Sequence, residues 1–185
     1  FWGGPHANPN GLDPNSTKFT GSNYYEPNRN RETNLKYDLQ NKGASVEFWL
    51  KKDEFITSLT DKEVIFDMWN GALSSSTRYG RLRIELSGNA AGGANPFNVT
   101  LLSGASGIYA QSVATSSFTT ASVADGLWHH YGFTFMSASG GIHTRFYVDG
   151  NLNNEGTYGT EGINEVTGAL RAYIGALVAA PHGGY

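Results

Sequence analysis

The sequence contains no cysteine. That excludes a disulfide scaffold, a cysteine-ligated zinc site and a thiol nucleophile. It assigns no compartment, because a β-sandwich of this size needs no covalent staple. Charge is scarce as well: Lys, Arg, Asp and Glu make up 16% of the chain, against a usual ~25%. The formal net charge is -3 and the isoelectric point about 5.9. Basic residues gather no further than Lys51-Lys52 and the loose Arg29/Arg31 pair. Phosphate binding needs a concentrated positive face, so nucleic acid is not an expected partner. No apolar run approaches the ~20 residues of a membrane-spanning helix.

Glycine and aromatic residues are plentiful instead. There are 24 glycines in 185 residues, and 13% of the chain is aromatic; glycine ordinarily makes up only ~7%. A helical bundle would need more Ala, Leu, Glu and Lys, and a disordered chain would be more charged and poorer in aromatics. The composition fits one all-β domain with many tight turns. A domain this long hides roughly 70% of its unfolded surface.

Residues 1–17 are rich in turn formers (Pro5, Pro9, Pro14, Asn8, Asn10, Asn15) and show no periodicity. They read as an extended arm or linker, and the opening Phe1-Trp2-Gly3-Gly4-Pro5-His6 as part of something longer. From Lys18 to Tyr185 short apolar runs alternate with turn residues. Ser45 to Lys51 alternates, with Val46, Phe48 and Leu50 on one face. Val64-Ile65-Phe66 is a short buried-strand candidate leading into a long loop, 67–80. Arg81 to Leu86 alternates cleanly, with Leu82, Ile84 and Leu86 inward. Phe97–Leu102, Ile108–Val113, Trp128–Met136, His143–Val148 and Leu170–Ala176 complete the set. Asp149-Gly150 is a two-residue hairpin turn that requires positive φ at both positions. Residues 53–62 are expected to form one helical turn. About eight or nine strands with turn signals between them predict an antiparallel jelly-roll β-sandwich.

Four motifs in this order resemble the laminin-G-like and pentraxin-like modules of the concanavalin A-like superfamily. Lys18 to Tyr25 followed by Ala44-Ser45-Val46-Glu47-Phe48-Trp49-Leu50-Lys51 is similar to the family's first two strands. Asp125-Gly126-Leu127-Trp128-His129 resembles its D-G-x-W-H strand. Arg145 to Gly150 resembles its F-Y-V-D-G hairpin, and Ala172-Tyr173-Ile174-Gly175 its I-x-I-G strand. The resemblance covers residues 18–185 and implies a concanavalin A-like sandwich. It also implies a closing strand, which the sequence to Tyr185 does not show, so the domain is expected to lack it. Trp128 is read as a core residue.

The superfamily includes glycoside hydrolases, whose retaining members hold two carboxylates about 5–5.5 Å apart. No strand here carries acids at alternate positions. Glu47 and Glu85 stand alone, and Glu63 and Asp67 are four apart with Glu63 at a polar strand start. No catalytic residue is assigned and no enzyme activity is expected. His129 and His130 are adjacent on a strand and point to opposite faces, so they cannot chelate a metal together. His143 lies at a strand start, with His6 and His182 near the ends. Ser103-Gly104-Ala105-Ser106-Gly107 reads as a loop, not a nucleophile elbow.

The resemblance implies a rim calcium site in some members. Asp67 and Asn70 match its first half, but Ala176-Leu177-Val178-Ala179-Ala180 replaces the acidic second half. No pentraxin-type calcium site is expected, and no cofactor; a weaker calcium site on Asp67 stays open. The candidate ligand-binding residues are Trp69, Asn70 and Tyr79, a ring face beside an amide in the 67–80 loop. Residues 177–181, apolar where a loop should be polar, suggest a neighbouring domain or subunit. Asn15-Ser16-Thr17 and Asn98-Val99-Thr100 match the glycosylation triplet no better than chance allows. The expected function is a non-catalytic recognition or adhesion module of a larger extracellular, cell-surface or virion protein, binding a glycan or a protein surface. A structural decoration or assembly domain of a phage virion or surface filament is the alternative, with a glycoside hydrolase behind both.

Overall fold

The computed structural model of the chain describes residues 43–55, 63–88, 94–163, 166 and 170–175. The arm at 1–17, the opening motif at 18–25, the apolar 177–181 segment and any closing strand fall outside these residues.

Nine strands form among them: β1 (Ala44–Lys51), β2 (Glu63–Trp69), β3 (Gly80–Leu86), β4 (Phe97–Ser103), β5 (Ser106–Ser112), β6 (Trp128–Ala138), β7 (Gly141–Val148), β8 (Asn151–Tyr158) and β9 (Arg171–Ile174). A single helical turn, α1 (Thr120–Val123), precedes β6. The strands make two antiparallel sheets, ordered β1-β6-β7-β8 and β5-β4-β3-β2-β9. This is the predicted β-sandwich.

Alternation explains the layering. Side chains on a strand point to opposite faces in turn. Leu82, Ile84 and Leu86 of β3 and Phe97, Val99 and Leu101 of β4 are buried from one sheet. Tyr131, Phe133 and Phe135 of β6 and Phe146 of β7 meet them from the other. The centre is aromatic: the Phe97 ring lies 4.9 Å from Tyr131, 5.2 Å from Phe146 and 5.4 Å from Phe133 between centroids.

The helical turn expected within 53–62 lies largely outside the described residues, of which 53–55 are not helical. Two sequence expectations need correction. Strand β2 runs on through Asp67, Met68 and Trp69, because these residues pair with Arg83, Leu82 and Arg81 of β3 and with Tyr173, Ala172 and Arg171 of β9; the loop therefore begins at Asn70. Strand β8 was not foreseen, since Asn-Leu-Asn-Asn-Glu-Gly has little β propensity. The hairpin creates it: Asp149 (φ 49°) and Gly150 (φ 78°) adopt the expected positive values and return the chain along β7.

Candidate ligand-binding surface

Strand β2 directs Met68 into the core and leaves Asp67 and Trp69 on the sheet's other face. The structure does bring Trp69, Asn70 and Tyr79 together, but as the frame of the 70–80 loop. Trp69 and Tyr79 are only 5% and 8% exposed and pack with Leu102. The Trp69 indole N–H donates to the Ala72 carbonyl at 2.9 Å, and the Arg81 guanidinium lies over its ring, 5.5 Å from the centroid. The Asn70 amide N donates to the Arg78 carbonyl at 2.6 Å, while its Oδ1 accepts from the Ala72 and Gly80 N–H groups. The expected ring face beside an amide thus consists of two largely buried rings and an amide engaged inside the loop.

The calcium candidate meets a similar obstacle. Asp67 is 0% exposed. Arg81 grips both its oxygens, Nε donating to Oδ1 at 2.8 Å and Nη2 to Oδ2 at 2.5 Å. Burial works against the Arg81 charge, but hydrogen bonds to Asp67 and Tyr79 carry its pKa well above the ordinary range. A permanent cation on the carboxylate does not fit a site for a second cation. Among the described residues no group of three or more His, Asp or Glu side chains could hold a metal ion.

The carboxylates are also dispersed among cations. Glu85, buried on the same sheet face as Asp67, pairs with Arg83, and Glu63 meets Lys52 at 2.5 Å. No two of these acids share an unobstructed face across which a glycosidic bond could lie.

The most open chemistry lies on the outer face of the four-stranded sheet. Strand β1 alternates half-buried Val46, Phe48 and Leu50 with exposed Glu47, Trp49 and Lys51. Trp49 is 65% exposed and Trp128 64%. The register pairs Trp49 with His130 and Lys51 with Trp128, so the two indoles are diagonal neighbours on one face. The expected core position of Trp128 is thereby corrected: it shares the parity of outward His130, while Tyr131, Phe133 and Phe135 take the inward positions. The Trp49 and His130 rings lie 5.3 Å apart. Next to them Gly132 pairs with Glu47 on one side and Tyr147 on the other, leaving bare backbone between two side chains. Leu152, half exposed, extends this row onto β8.

His129, the inward neighbour of His130, closes the rim beneath this face. Its Nδ1 lies 2.7 Å from Asp149 Oδ2, and its Nε2 lies 3.0 Å from Asp125 Oδ2. Asp149 Oδ1 also accepts from the His130 N–H, and Asp125 Oδ1 from the Leu127 N–H. The imidazole therefore ties the turn before β6 to the β7–β8 hairpin. The hydrogen bond to Asp149, then that to Asp125, raises the His129 pKa. His129 in turn lowers both carboxylates, assisted by the Leu127 and His130 amides.

The raised histidine contributes stability fully below its unfolded value of 6.5 and loses it as pH rises through the folded value. The depressed aspartates contribute above 3.8 and lose it as pH falls through their folded values. The clamp is accordingly strongest between those two limits. His129→Asn is expected to lower the melting temperature most near about pH 5.5, with the gap to wild type shrinking by about pH 9. Thermal melts of both proteins across that range check it. A gap independent of pH would show that the imidazole acts by packing alone.

Two antiparallel sheets around one aromatic core, with polar and exposed aromatic groups on an outer face, define a jelly-roll sandwich of the lectin-like class. A laminin-G-type family model, described as the concanavalin A-like lectin/glucanases superfamily, matches residues 19–183, and the chain belongs to that family. Laminin-G-like members are often non-catalytic binding modules and typically extracellular, although the superfamily also contains glycoside hydrolases. A search of curated proteins gives no match. No helix among the described residues is long and apolar enough to cross a membrane.

Proposed function

We propose that the chain is a non-catalytic recognition module that binds carbohydrate on the outer face of its four-stranded sheet. The observation that carries this reading is the pair of exposed tryptophans, Trp49 and Trp128, side by side on a folded surface. A large ring in water forgoes burial worth several kcal/mol at roughly 25 cal/mol per Å2, and a sugar presents an apolar C–H face that restores it. Polar groups interleave with the rings, as ligand orientation requires: His130 beside Trp49, and Glu47 beside Gly132. The burial of Asp67 and Glu85 and their contacts with Arg81 and Arg83 support a non-catalytic role, because neither carboxylate is open to a substrate. Family membership supports the setting, a larger extracellular, cell-surface or virion protein.

A glycan array followed by titration calorimetry tests the reading. Trp49→Ala and Trp128→Ala are each expected to weaken binding about tenfold or more, equivalent to about 1.4 kcal/mol. Trp69→Phe, a change inside the loop frame, is expected to leave affinity unaltered. No glycan bound, or equal loss from all three variants, would overturn the proposal.

Assembly into a virion or filament is the second reading. Its specific support is β9, where Ile174 is 86% exposed and Tyr173 half exposed on a strand that pairs with β2 alone among the described strands. Such an edge can receive a strand from another chain. Concentration-dependent association that Ile174→Lys abolishes would favour it.

A further inference from the structure

We infer that the ligand of this outer face is an uncharged oligosaccharide of at least two contiguous sugar units, seated over Gly132. The inference rests on the carbohydrate reading above and narrows it to one chemical class.

The charge on the face is balanced. Its outward strand positions carry Lys51 and Arg145 against Glu47 and Glu155, which sum to zero with the histidines neutral. Most of these groups already face an opposite partner. Arg145 Nε donates to Glu155 Oε1 at 3.0 Å, His143 Nε2 lies 2.9 Å from the same oxygen, and His130 Nε2 lies 3.7 Å from Glu47 Oε2. The Glu155 carboxyl is held below its usual range by Arg145 first and His143 second. A sulfated or uronate chain would have to draw Arg145 away from Glu155 and lie beside two carboxylates. An uncharged chain can use the same groups as hydrogen-bond donors and acceptors without disturbing the pairs.

Length follows from the register. Diagonal cross-strand neighbours are about 7–8 Å apart, so Trp49 and Trp128 call for two adjoining rings rather than one monosaccharide. Gly132 supplies the floor. A Cβ placed there would lie 3.6 Å from Tyr147 Cβ and 3.8 Å from Glu47 Cγ, which is ordinary contact. A side chain at this position is therefore compatible with the fold, yet it would fill the gap between Glu47 and Tyr147.

The experiment compares unsulfated gluco-, manno- and galacto-oligosaccharides with heparin and polygalacturonate at about 50 mM and about 500 mM salt, a range over which screening removes long-range attraction. Wild type, Gly132→Val and Trp128→Ala are titrated with each, and melting curves confirm folding. The expected result is binding of an uncharged chain of two or more units with less than about a twofold change across the salt range. Gly132→Val is expected to keep the wild-type melting temperature within a few degrees and to lose about tenfold or more in affinity. Preference for heparin or polygalacturonate, weakening with salt and lost in Trp128→Ala, would overturn the uncharged-ligand inference while keeping glycan recognition on this face. Full affinity of a folded Gly132→Val would overturn the seat over Gly132. No glycan bound by any arm would overturn the carbohydrate reading itself.

Discussion

Phe97→Ala is expected to cost about 3–5 kcal/mol of folding stability, enough to remove much of the 5–15 kcal/mol typical of a domain. Phe97 is fully buried near the middle of the sandwich, where its ring meets rings from several elements. Phe48 on β1, Phe118 ahead of α1, Tyr131 and Phe133 on β6, and Phe146 on β7 all lie within 6.5 Å, centroid to centroid. Truncation leaves a cavity bounded by both sheets. Neither can close it, because backbone pairing fixes each sheet and the neighbouring rings already pack against one another, Phe133 and Phe146 at 4.8 Å. Urea denaturation monitored by tryptophan fluorescence would show a lower midpoint with little change in slope. Phe97→Leu should lose less, since it retains most of the volume. Tyr109→Ala on β5 of the same sheet serves as the control: Tyr109 is exposed, and its loss should stay within about 0.5 kcal/mol. A Phe97→Ala variant within 1 kcal/mol or so of wild type would mean that the core relaxes around the cavity.

The core was legible because it is written locally. Arg81 to Leu86 announces its buried face by strict alternation, and Asp149-Gly150 announces its turn by the conformations it requires. Strand β8 was not legible, since its Asn-rich residues carry no pattern; only the turn before it and β7 beside it make it a strand. The strand position of Trp69 was not legible for a related reason. Trp69 looked like a loop residue because the apolar run ends at Phe66, but pairing with β3 and β9 carries the strand three residues further and buries the ring. The exposed tryptophans, in contrast, are legible from alternation. Once Val46, Phe48 and Leu50 face inward, Trp49 must face out, and once Tyr131 and Phe133 face inward, so must His130 and Trp128. An outward tryptophan is costly unless something covers it. That the two tryptophans are neighbours could not be read at all, because it depends on the β1–β6 register, a long-range pairing.

Asp67→Ala exposes a different kind of dependence, and its expected cost is again about 3–5 kcal/mol, the range for breaking a buried ion pair from one side. The two partners lie on neighbouring strands, β2 and β3, and the carboxylate has no solvent to fall back on. Removing it leaves the Arg81 guanidinium in a largely buried position between Trp69 and Tyr79 with its bidentate partner gone. Arginine cannot escape by losing its proton, so the charge must be hydrated by opening the 70–80 loop or by displacing the Trp69 contact. Asp67→Ala/Arg81→Met removes both charges and should recover a large part of the loss, because replacing a whole buried pair with apolar groups is often neutral. Chemical denaturation of wild type, both single variants and the double variant closes the thermodynamic cycle; additive single losses would mean that the pair is not coupled. Glycan affinity measured on the folded fraction of the same four proteins should stay constant, since Trp49, Trp128 and Gly132 lie on the opposite sheet. A parallel fall in affinity and stability would tie the ligand to the Asp67 face instead, returning Trp69 and its loop to the binding surface.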